Sequence, residues 1–215
     1  HEAHAKYFAD FMKMREDHLR DHRLKAALWE IEADFDNIRV AWNYWINQQD
    51  AQRILGFIGA LWMFFEVRGS FRPAVQFFGD AANKLTATNS DVVWARAELR
   101  ARQAWFTALI GLADQGLRMA QESVNTLSQY KYQDVPVETI QCVNINAIFL
   151  NNDQVAFQAT QEMLARADRS GDLWERGWAL IWSAYAFVVQ RQIGEATQAG
   201  QEAVAIFERL NNPFG

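Results

Sequence analysis

The 215-residue chain has one cysteine, three prolines and eleven glycines. A single cysteine excludes an intramolecular disulfide and a cysteine-based zinc framework, and Cys142 reads as a small buried filler. So few chain-breaking residues predict long uninterrupted elements. Long apolar runs are also missing. The best, Ile54 to Phe65, is closed by Glu66 and Arg68 after about a dozen residues, whereas a spanning helix needs roughly 20, so no membrane segment is expected. Excess positive charge is absent too. A net charge of −5 argues against nucleic-acid binding, which needs a concentrated positive surface. The opening "HEAHAKYF" lacks the basic-then-apolar pattern of a signal peptide, and together with the lone cysteine this predicts a cytoplasmic protein. Both ends read as cuts through a longer chain.

What is present is apolar and aromatic. Half of the residues are hydrophobic and nine are tryptophan, the profile of an ordered chain. Apolar residues recur at helical spacing, with breaks at "GS", "GLAD", "NND" and "RQIG". The periodicity predicts ten helices, at about 3–20, 24–48, 51–68, 71–86, 91–110, 113–130, 136–150, 153–169, 172–191 and 194–210. No stretch combines strict alternation with β-branched enrichment, so the expected fold class is all-α.

The chain also repeats. Ile58, Leu61, Trp62 and Phe65 fall at the offsets of the tetratricopeptide pattern W-x2-L-G-x2-Y, and Ala74 and Phe78 supply its A-x3-F. Trp62 replaces the usual small residue, and Thr86 stands where a proline usually ends the unit. Aligning the turn puts Gly69, Gly111, Asn151 and Arg191 in register, with Ala74, Gly116, Ala156 and Ala196 each five residues later. "SGDLWERG" around Asp172 is echoed by "LNNPFG" around Asn212, as if a fifth unit were starting. The expectation is one solenoid domain over residues 1–215, with a period of about 40 residues. A helical lead-in (1–48) precedes about four tetratricopeptide-like hairpins (49–215).

Chemistry is sparse. His18 and His22, at i and i+4 beside Asp17 and Asp21, have a spacing that can chelate a metal. The alternative is a solvated helix end, and no metal or cofactor is expected. Asp36 and Asn37 have no companion nucleophile, and read as groups bonded to backbone where helices change direction, with Arg39 paired to a carboxylate. Arg96, Arg100 and Arg102 suit either an anionic ligand or pairing with Glu98 on a wet face. No nucleophile–base pair is visible, so no enzyme is expected.

The functional surface follows instead from the repeat, whose first helices line a concave face. The positions are Gly59, Met63 and Glu66; Glu98, Ala101 and Trp105; Glu138, Gln141, Ile145 and Ile148; and Trp178, Ile181 and Tyr185. An open groove would expose Trp105, Trp178 and Tyr185 to a peptide with basic residues or to a small stacking ligand. A tightly wound array would bury them as a core seam.

The segment "HAKYFADFM" and the stretch from "LWEIEADFDNIRVAWNYW" to "FFGDAANKL" resemble the arm that follows the ATPase in bacterial signal-transduction ATPases with numerous domains, including regulators similar to the maltose-regulon activator. Asp36, Asn37, Ile38, Arg39, Val40 and Ala41 match its "hDNLRaAL" element. Ala60, Leu61, Trp62, Phe64, Arg68 and Gly69 match "aLWrFw…RG". Gly171, Asp172, Trp174, Gly177, Ala179 and Leu180 match "GDlWxxgxAL". The resemblance implies a sensor arm that binds a small-molecule inducer or a protein partner and releases an upstream ATPase module. The alternative is a constitutive scaffold or oligomerisation module. No phosphate-binding loop G-x-x-x-x-G-K-[ST] occurs here, so ATP hydrolysis is not expected of this chain.

Overall fold

Eleven α-helices and no strand are found among the described residues, 1–130 and 134–212, of the computed structural model. The chain divides into two compact units, His1–Gln103 and Ala104–Gly215, with the division falling inside one helix. The sequence had suggested one domain whose lead-in ended at residue 48. The echo around Asn212 reaches into residues 213–215, which lie outside the described ones.

The first unit holds α1 (Glu2–Leu19), α2 (Leu24–Ala33), α3 (Phe35–Asn47), α4 (Ala51–Val67), α5 (Phe71–Lys84) and the start of α6 (Ser90–Leu109). One expectation is corrected here. The helix predicted over 24–48 is two helices, because Asp34 leaves helical geometry (φ −107°, ψ 13°) and ends α2 while opening α3. The Asn37 side chain donates to Asp34 Oδ1 at 3.0 Å, a short-range bond of the kind that lets Asp and Asn compete with helix continuation. α4 is apolar nearly all round because α1, α3 and α5 all pack on it. Its aromatic residues are glue. Phe35 stacks on Phe64 at 5.1 Å, Trp42 on Phe77 at 5.3 Å, and Phe65 meets both Phe77 and Phe78. The Trp45 indole donates to the Ala5 carbonyl at 3.0 Å, tying α3 to α1.

The second unit holds the end of α6, then α7 (Ala113–Leu127), α8 (Val137–Phe149), α9 (Asp153–Ser170), α10 (Leu173–Val189) and α11 (Ile193–Arg209). Each helix from α7 onward packs on the next, and α8 also packs on α10. α8 is therefore covered from all sides, with residues 139–148 all buried. Small residues permit the closest approaches. A Cβ on Gly116 would lie 2.9 Å from the Ala104 carbonyl oxygen, and one on Gly177 would lie 2.8 Å from Phe207 Cζ.

One turn recurs. Gln49, Gly69, Gly111, Asn151, Arg191 and Asn211 are all left-handed, with φ between 51° and 86°. Each donates its N–H three residues back, while the next residue donates five residues back. That double bond is the Schellman closure of a helix end. The four turn residues aligned from sequence all belong to this set, Arg191 included, and the four small residues that follow them are buried. The α9–α10 turn at Gly171 (φ 68°) differs, with one bond to Ala167 O. Asp172 then caps α10, accepting from the N–H groups of Trp174 and Glu175 at 2.7 and 3.2 Å.

The turn at Gln49 has an added bond set. Its side-chain amide donates to the carbonyls of Ile46 and Lys84, both at 2.9 Å, and accepts from the N–H groups of Thr86 and Ala87 at 2.9 and 3.1 Å. This fastens the start of the α5–α6 connection to the α3–α4 turn.

Candidate functional site

In the first unit, Met63 is 2% exposed inside α4, and Glu66 is half-buried in the last turn of that helix. Glu98 is buried beside Arg102 at 3.6 Å, and the Arg102 guanidinium lies 5.9 Å from the Trp62 ring centroid. The pairing expected on a wet face is thus a buried one. Arg96 donates to the Leu85 carbonyl, and Arg100 to Asn83 Oδ1 and Gln103 Oε1. Arg39 pairs with Asp36 at 2.9 Å. At the α1–α2 connection Asp21 is engaged by Arg23, and His22 is exposed. Among the described residues no three His, Cys, Asp or Glu side chains converge as metal ligands.

In the second unit, Trp105 is 1% exposed, Trp178 7% and Tyr185 56%. The expected exposure therefore holds at Tyr185 alone of the three. The cause differs at each buried indole. Trp178 meets Trp174 at 5.9 Å and Phe207 at 6.1 Å, an approach that Gly177 leaves open, so it is core between α10 and α11. Trp105 meets Trp182 edge-on at 5.0 Å, and Trp182 lies 5.3 Å from Tyr185. These three rings form a row that runs from the interior to solvent. Edge-to-face pairs of this kind fix ring orientation.

α8 packs against α10, which carries Trp182 and Tyr185. Ile148 belongs to a buried cluster with Ala147, Ala156 and Ala186, against which Trp182 packs. Gln141 is 1% exposed, and neither its Nε2 nor its Oε1 has a hydrogen-bond partner. Its neighbours are used differently. Asn144 donates to the Ala156 carbonyl and Thr160 Oγ1, while Asn146 donates to the carbonyls of Ala104 and Cys142. Cys142 Sγ lies 3.1 Å from the Glu138 carbonyl.

Asn144, Asn146 and Trp182 did not emerge from the sequence as special. A signal existed. Residues 139–148 contain no charged side chain but two asparagines and a glutamine, and a fully buried helix admits neutral amides far more readily than charges.

A second feature lies at the hairpin tips. An open recess of about 560 Å³ is lined by Ala108, Leu112, Phe149 and Leu150, with Asp114 and Gln115. Leu112 and Phe149 are about half exposed, and Ile193 at the α10–α11 tip is 62% exposed.

No protein family, curated protein or solved structure matches this chain. Among the described residues no helix is long and apolar enough to cross a membrane.

Proposed function

We propose that the chain is an array of tetratricopeptide-like helical hairpins serving as the non-enzymatic, ligand-sensing arm of a larger bacterial regulator. The observation that carries this reading is the Schellman turn recurring at Gly111, Asn151 and Arg191, with small buried residues five positions later. Such arrays present the first helices of their hairpins to a ligand. The aromatic row Trp105–Trp182–Tyr185 and the unbonded Gln141 amide fit that role, since stacking rings and a spare amide bind small polar molecules. A ligand acts on an upstream ATPase module only by favouring one arm conformation over another. The test is a panel of small metabolites screened for a rise in the melting midpoint of the purified chain. Under the sensor reading one raises it, and Tyr185→Ala weakens that ligand by about tenfold or more. A hit indifferent to Tyr185 overturns the assignment of the face.

The second reading, a protein-binding scaffold, draws on the apolar recess at the hairpin tips. Exposed apolar clusters of this kind mark contact surfaces. Phe149→Lys or Leu150→Lys then abolishes association with a protein partner and leaves any small-molecule effect intact.

A further inference from the structure

Among the described residues, Gln141 alone has both a donor and an acceptor buried without a hydrogen-bond partner. Burying such groups unbonded is unfavourable, and an apolar side chain of similar shape would be better tolerated there. Asn144 and Asn146 tie α8 to α9 and to α6. Gln141 ties α8 to nothing, so stability does not explain it.

Position narrows its use. Residues 141, 145 and 148 share one side of a helix. Trp182 packs against the buried cluster to which Ile148 belongs, and it meets Trp105. Gln141 therefore lies on the Ile148 side of α8, about two turns, or roughly 10 Å, along the helix from Ile148. The Trp182 Nε1 is itself buried without a partner. We propose that this side of α8 is a recognition site for a small, uncharged, planar molecule that presents a hydrogen-bond acceptor beside a donor, such as an aromatic carboxamide or lactam. The Gln141 amide pairs with that edge through one donated and one accepted bond, the Trp182 N–H supplies a further donor, and the indoles receive the flat body. A charged ligand is disfavoured because α8 offers it no counter-ion between residues 139 and 152.

This deepens the sensor reading and rests on it for the face concerned. The probe is nicotinamide, titrated into the isotope-labelled chain while the Gln141 side-chain amide and the Trp182 indole N–H resonances are followed. Saturable shifts of both are expected, with affinity about tenfold lower in Gln141→Met. Nicotinate, which has two acceptors and no donor, binds more weakly than nicotinamide. The free Gln141→Met protein melts above the wild type. Equal affinity in the variant, or no shift at Gln141, overturns the proposal. A variant that melts lower together with a silent titration identifies bound water alone, and also overturns it. If the variant does not fold, the wild-type contrast between nicotinamide and nicotinate decides by itself. The two readings fail separately. A silent Gln141 beside a metabolite that binds through Tyr185 removes the ligand class and leaves the sensor.

Discussion

Arg191 occupies a backbone conformation (φ 60°) that L-residues other than Asn and Asp enter at a cost of about 1–2 kcal/mol. Asn151 and Asn211, in the same conformation, tolerate it better. Replacing Arg191 by glycine removes that strain, and the extra freedom of glycine in the unfolded chain offsets part of the gain. Arg191→Gly is expected to stabilise the protein by about 0.5–1 kcal/mol, read as a higher denaturant midpoint with an unchanged slope. The opposite sign is expected at Gly116. There an added methyl meets the Ala104 carbonyl oxygen at 2.9 Å and crowds Asn146. Gly116→Ala is expected to lower stability by about 1–3 kcal/mol in the same measurement. Arg191 also shows where sequence reading falls short. Spacing located the turn, but an arginine side chain carries no signal for a left-handed residue, and it is the backbone bonds to Val188 and Phe187 that hold the geometry.

At the scale of elements, periodicity located nearly every helix because most bury one apolar stripe. It missed the break at Asp34, where the apolar pattern continues through the joint and only a short side-chain bond marks it. The candidate face was legible in part. Spacing assigned Gln141, Trp105 and Trp178 to a concave face and left open whether it was a groove or a seam, and it could not foresee that Phe207 would reach Trp178 through the gap at Gly177. The α1–α2 joint offers a test of electrostatics. The hydrogen bond from the Arg23 guanidinium, foremost, holds the Asp21 carboxyl at about 2, below its ordinary range. A depressed carboxyl stabilises the fold at pH values above its unfolded-state value, near 4, and loses that contribution as pH falls towards 2. With the Asp21 side chain 27% exposed, solvent screening reduces the effect to about 1 kcal/mol. Asp21→Asn should therefore be less stable than wild type by that amount at pH 6, and the gap should close by about pH 2. A gap that persists in acid would show that the carboxylate charge is not its source.

For the molecule as a whole, the proposed modularity has a direct test. In a repeat array each unit is stabilised by its neighbours, so a further copy adds stability in place of disrupting the fold. Inserting a second copy of residues 153–192 after Gln192 should give a chain with the same helical signal per residue and an equal or higher melting midpoint. Loss of helicity or aggregation of the lengthened chain would mean that α9 and α10 are not interchangeable modules. This outcome bears on architecture alone, whatever the chain binds.

The Gln49 side chain has a kinetic consequence. Its amide uses two donors and two lone pairs on the Ile46 and Lys84 carbonyls and on the Thr86 and Ala87 N–H groups. Residues 85–89 lie outside any helix, where amide protons ordinarily trade with solvent deuterium almost freely. Those of Thr86 and Ala87 can do so only when the glutamine lets go, so their exchange clock is set by the opening of a turn more than 35 residues away in sequence. Deuterium uptake at these two amides should be slow in the wild type, and fast in Gln49→Ala while the helical amides of α4 keep their rates. A connection that looks like loose chain would then be among the last non-helical stretches of the first unit to open.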